Sequence, residues 1–368
     1  MTAAPLQGVR VADFTELLPG PFLTQSLVEL GAKVVKIERP HGGDPVRQSS
    51  PGLFAAVNRG KASVALDLKS AAGRAHALSI VGGADLLIEG FRPGVMARLG
   101  LGYGALAEVN PRLIYLSLSG YGQSGPQAQA PGHDLNYLAA AGITALCGEV
   151  GAGPQHTVGL PVADLCGAIY GLSAVLAALY QREQTGAGQH LDLSLTDCAA
   201  HWLNARRGPF HHDRVTDLEA QRTLALTRPA YGVFACRDGA VTLAALESHF
   251  WRALVRTLRL DAFADEAYAS VQRRRAAASE INAAIAARLA PLGRSEAVAL
   301  LLAADIPAAP VLSPAEAAAS EHHRARGLSV TTEAGALAPF PVRLVGMPDT
   351  PTAAPALGDH PDAAVRHA

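Results

Sequence analysis

Gly132-His133-Asp134, followed by Leu135-Asn136-Tyr137, sets an imidazole and a carboxylate behind a glycine, and two further acidic residues lie downstream in equally distinctive settings. They are Asp164, in Gly159-Leu-Pro-Val-Ala-Asp-Leu-Cys-Gly167, and Glu247, in Ala245-Leu-Glu-Ser-His-Phe-Trp251. One imidazole and two carboxylates can take a proton from one face of a carbon and return it to the other. Such a 1,1-proton transfer inverts the configuration at that carbon. A helix start behind His133 is expected to present its ring to a cleft, available as a base. Asp164 opens a long Ala-rich helix that it caps, and amides of that first turn face an oxyanion forming beside the carboxylate. Glu247 opens a helix after a strand, at the positive end of its dipole. Each has a plain alternative: an ordinary histidine, a simple cap and a surface glutamate.

The basic residues fall at related places. Arg39 follows the second expected strand, Asn58-Arg59-Gly60-Lys61 precedes the third, and Phe91-Arg92, with Arg98 beyond, follows the fourth. Segments that follow parallel strands lie at the carboxyl ends, where ligands bind, so Arg39 and Arg92 can converge on phosphates. The turn after the first strand reads Phe14-Thr-Glu-Leu-Leu-Pro-Gly-Pro21 and lacks the G-x-G-x-x-G signature, which argues against a nicotinamide enzyme.

These elements must be carried by a chain of 368 residues, long enough for two domains or one large one. A formal net charge of -1 gives no global pull toward nucleic acid or an anionic membrane, so a polyanionic ligand needs a local cluster. The four cysteines form no C-x-x-C pair and read as reduced thiols, with no metal site expected. With neither an export signal nor a span of about 18 apolar residues, a cytoplasmic location is expected.

Strands are predicted at residues 9–13, 34–38, 63–68, 84–89, 113–118 and 190–195, with helices at 19–30, 70–81 and 164–182. Strands alternating with helices predict an α/β fold with a parallel sheet covered on both faces. The expected organisation is a large Rossmann-like domain over residues 1–201, a linker over 202–226, a smaller α+β domain over 227–306 and a return segment with a frayed tail over 307–368. A hairpin turning at Arg237-Asp-Gly239 opens the small domain.

Taken together the chain resembles the class III coenzyme A transferase (CaiB/BaiF) family, and within it the alpha-methylacyl-CoA racemases. The likeness rests on Gly8-Val-Arg-Val-Ala-Asp13, Glu38-Arg-Pro40, Asn58-Arg-Gly-Lys61, Glu89-Gly-Phe-Arg-Pro-Gly94, Gly120-Tyr-Gly-Gln-Ser-Gly-Pro126, Ile306-Pro-Ala-Ala-Pro-Val311 and Leu357-Gly-Asp-His360. It implies that Asp164 is the acyl-accepting nucleophile of a transferase or a general base of a racemase, and His133 and Glu247 match the racemase form. Leu160 stands where racemases carry Asn, and Ser248 where their helix commonly has Pro. The resemblance further implies an interlocked homodimer whose site lies between the large domain of one chain and the small domain of the other, with Glu247 of the partner orienting His133. Its substrate is an acyl-CoA thioester with a 2-methyl branch, coenzyme A entering only as part of the substrate and no other cofactor being required. A CoA transferase using Asp164 and a non-catalytic acyl-CoA-binding homologue are the alternatives.

Overall fold

The computed structural model describes residues 3–156 and 159–363. Six strands, β1 (Arg10–Phe14), β2 (Lys33–Glu38), β3 (Ala62–Ala65), β4 (Leu86–Glu89), β5 (Ile114–Ser119) and β6 (Gln189–Ser194), pair in parallel in the order β3-β2-β1-β4-β5-β6. The sheet therefore changes winding direction between β1 and β4, and a crevice opens there at the carboxyl ends of the strands. Every residue of β4 and β5 is buried, as expected of parallel strands covered on both faces.

The helices that position the site follow from local chemistry. Helix α1 (Pro19–Glu29) starts on prolines and stops before Gly31, whose φ of +100° suits glycine. Further along come α2 (Ala71–Gly82), capped by the Ser70 hydroxyl, and the short α3 (Asp134–Ala140). Helix α4 (Val162–Thr185) ends at Gly186 in the left-handed conformation. With a mean hydropathy of 1.8 in its most apolar window, α4 is long and apolar enough to cross a membrane, yet it lies against this sheet. Glycines allow the close approach: a Cβ on Gly167 would meet Leu195 Cδ2 at 2.1 Å, and one on Gly171 would meet Leu23 Cδ1 of α1 at 2.4 Å.

The region expected to be a linker is instead helical. After α5 (Leu195–Trp202), it comprises α6 (Asn204–His212) and α7 (Leu218–Leu226). The buried position of α7 is Arg222, so the helix has no apolar stripe to betray it. Its guanidinium donates to the carbonyls of Ala145, Cys147, Glu149 and Gly153 and ties down the segment between α3 and α4.

The chain divides into two compact units. One holds residues 1–144, 157–205 and 321–368 and contains the parallel sheet; the other holds 145–156 and 206–320. In the second, the antiparallel strands β7 (Tyr231–Cys236) and β8 (Gly239–Ala244) are joined by β9 (Ala308–Pro310), which keeps residues just past 307 in that unit. Helices α8 (Ser248–Leu258), α9 (Ala278–Leu289) and α10 (Arg294–Ala303) cover the small sheet around buried Trp251, Leu254 and Ile281. The expected frayed tail beyond residue 363 lies outside the described residues.

Candidate active site

A cleft of about 670 Å³ opens beyond the carboxyl ends of β1, β4 and β5, and both His133 and Asp164 line it, with Arg92, Tyr137 and Glu16. Asp164 is the third residue of α4, whose cap is Pro161. Its side chain therefore faces the cleft and does not cap the helix. The expected use of the first-turn amides is also corrected: Asp134 Oδ1 accepts the N–H of Ala163 at 2.6 Å and that of Asp164 at 3.2 Å. A carboxylate already fills the place assigned to an oxyanion. Burial, reinforced by the nearby charge of Asp134, raises the Asp164 carboxyl to about 7.

His133 is the cap residue of α3, exposed and in extended backbone. Its N–H donates to Asn136 Oδ1 at 3.0 Å, one half of a capping box that fixes the entry into the helix. Gly132 is required before it, because a Cβ there would stand 2.6 Å from the Tyr137 ring; Gly120 is pressed by the same ring at 2.3 Å. Tyr137 donates its hydroxyl to the Gly132 carbonyl and packs edge-on to Tyr121, with centroids 5.3 Å apart. Burial, then the charge of Asp164, pushes its phenol up to about 12, so it stays a donor.

Arg92 and Arg39 reach adjoining spaces. A second cavity of about 590 Å³ is lined by Arg39, His41, Leu68 and Lys69, and it shares Glu16 and Phe91 with the first. Arg39 donates to Glu16 Oε1 at 3.1 Å while its side chain stays 54 % exposed. The loop bearing Phe91 and Arg92 is held by Glu89 Oε2, which accepts the Phe91 N–H at 2.8 Å, and burial raises the Glu89 carboxyl to about 7. Arg98 is exposed and lines neither space.

The Asn58-Arg59-Gly60-Lys61 group has different work from that expected of it. Lys61 is buried and donates to Thr24 Oγ1 at 2.7 Å, Asn58 Oδ1 at 2.8 Å and Asp13 Oδ2 at 3.2 Å. Arg59 pairs with Glu29 at 2.7 Å and donates to the Pro351 carbonyl, and Asn58 donates to the Phe54 carbonyl. Their donors are spent joining β1, α1 and the returning chain. Burial alone would raise the Asp13 carboxyl, but the ammonium groups of Lys61 and Lys36, with the Thr15 and Thr24 hydroxyls, hold it at about 2.

Glu247 belongs to the second unit, where it caps α8 through its backbone and makes no side-chain capping bond. Beside it Arg274 donates to the Leu246 carbonyl at 2.8 Å and lies over the Trp251 ring. Leu160, in the other unit, is 63 % exposed. Two lining residues carried no role in the sequence reading: Glu16, in a turn noted only for lacking glycines, and Tyr137. Asp134, named in the Gly-His-Asp motif, carried no role of its own there, though an acidic residue on the first turn of a helix was the available signal.

The sequence profile of CoA-transferase family III matches residues 6–361. The chain belongs to that family. Acetyl-CoA:oxalate CoA-transferase of Acetobacter aceti is 34% identical over 352 residues, spanning 94% of this chain and 90% of that one. Succinate–glutarate CoA-transferase of Agrobacterium fabrum is 32% identical, with 97% and 94% covered. Among solved structures, a CaiB/BaiF family protein from Brucella suis superposes with a TM-score of 0.86 at 29% identity, covering 98% of each chain. Rv3272 from Mycobacterium tuberculosis gives 0.85 at 30% identity, with 99% and 100% covered. The family III likeness spans both units, and it makes this chain an enzyme of CoA thioesters.

Proposed function

We propose that the enzyme exchanges the α proton of a 2-methyl-branched acyl-CoA, inverting that carbon. The observation that carries this reading is the meeting of His133 and Asp164 on one cleft, with the Asp164 carboxyl held near neutrality. A group titrating near the working pH serves as acid and as base in turn. In one direction the α C–H bond breaks, its proton passing to the His133 imidazole and its electron pair entering the thioester as an enolate. Asp164, in its acid form, then delivers a proton to the opposite face. In the reverse direction the Asp164 carboxylate takes the proton and the imidazolium returns one. Arg39 and Arg92 hold the coenzyme A phosphates, as bidentate guanidinium donors suit them.

A second reading is supported by the names of the relatives, which are CoA-transferases. There the Asp164 carboxylate attacks the thioester carbonyl and expels the CoA thiolate, giving a mixed anhydride. The thiolate then attacks the Asp164 carbonyl, releasing the donor acid and leaving an aspartyl-CoA thioester; the acceptor carboxylate displaces the thiolate from it to form a second anhydride, and the thiolate's attack on that acceptor acyl carbonyl frees Asp164. One incubation separates the readings: the enzyme with a 2-methylacyl-CoA in deuterium oxide, with and without a free acid. Proton exchange predicts deuterium at the α carbon without any acid. Absence of label across several chain lengths, with acid-dependent movement of CoA, would establish the transferase instead; neither event would leave an acyl-CoA-binding protein.

A further inference from the structure

We propose that Asp134 is a positioning residue for Asp164: one oxygen of its carboxylate fastens the first turn of α4, and its fixed negative charge stands beside the reacting carboxyl. The proposal rests on the reading of Asp164 as the reacting group, and it adds a residue that never touches the substrate. Geometry carries it. Asp134 is the first residue of α3 and Asp164 the third of α4, and the single oxygen Oδ1 accepts both the Ala163 and the Asp164 N–H. Two helices that converge on the cleft are thereby locked at their N-terminal ends. Asp134 itself is absent from the residues lining the cleft, whereas His133 on one side of it and Asn136 on the other are present.

Charge adds a second role. Asp134 already takes up two of the amides with which the N-terminus of α4 would otherwise favour an ionised Asp164, and replaces them with a like charge. Burial does the rest in keeping the Asp164 proton bound. The other groups facing this corner are Tyr137 on α3, His133 at its cap, Arg92 after β4 and Glu16 after β1. Arg92 draws the Tyr137 phenol down, opposing the carboxylates there.

The two roles separate by substitution. Asp134→Asn keeps an oxygen that can accept both amides and removes the charge; Asp134→Ala removes both. The measurement is the titration of the Asp164 carboxyl in protein labelled with 13C at aspartate carboxyls, the resonance being assigned by its loss in Asp164→Asn. Asp134→Asn is expected to lower the midpoint by about one pH unit while the melting temperature holds. Asp134→Ala is expected to lower melting by several degrees as well, as the loss of a helix-end partner does. A midpoint in Asp134→Asn within a few tenths of the wild-type value would overturn the proposal. The titration needs no substrate. A wild type that exchanges no α deuterium, with the midpoint still lowered in Asp134→Asn, would therefore remove the racemase reading and leave Asp134 in its role.

Discussion

At Asp164 the proposed reacting position carries a stability cost. Its folded carboxyl titrates near 7, against 3.8 for an ordinary one, so between those values the folded chain binds more protons than the unfolded chain. Stability is then fully present below about pH 4 and declines as pH rises toward 7. Asp164→Asn is expected to remove that decline, so its gain in melting temperature over wild type is largest above pH 7 and vanishes near pH 4. The same substitution is expected to lower turnover by about a thousandfold, the scale of a lost general acid or base. Melting curves across pH, with steady-state rates, check both. At the phosphates, Arg92→Ala and Arg39→Ala are each expected to weaken CoA binding about tenfold with the fold intact. Calorimetric titration showing unchanged affinity in both would refute that placement.

At the level of elements, β1, α1 and the segment before β3 are joined by the buried Lys61–Asp13 pair, both side chains being fully inaccessible. Removing one member strands the other charge. Lys61→Met is expected to cost about 3–5 kcal/mol, since Asp13 would keep only neutral partners beside Lys36. Urea denaturation measures it, and a loss below about 1 kcal/mol would show that water or Lys36 replaces the ammonium. The sheet was legible because short segments rich in Val, Ile and Leu alternate with helical ones. The helices of residues 204–226 were not, because α6 is polar and the side chain that seats α7 is Arg222. Likewise the Asn58–Lys61 group reads as basic in sequence, and only its neighbours Asp13, Glu29 and Pro351 reveal that the charge faces inward.

For the whole molecule, α4 turns a row of apolar side chains outward. Ile169 is 47 % exposed and Tyr180 71 %, and Trp202 at the end of α5 is 48 % exposed. A row of that kind supports the proposal, drawn from the family resemblance, that two chains interlock as a homodimer. Sedimentation equilibrium is expected to give twice the mass of one chain at micromolar concentration, and a persistent monomer would count against it.

The sequence by itself determined the family and the alternation of strand and helix, and it singled out His133, Asp164 and Arg92, which line one cleft, because apolar period, turn residues and short motifs are local properties. Tertiary structure alone decided which charges are available. Asp134 lies 30 residues from Asp164, and Asp13 lies 48 from Lys61, yet each pair meets through folding. Whether an ionisable side chain binds a ligand, fastens a helix or neutralises a buried partner depends on what surrounds it. That environment exists only once the chain has closed around it.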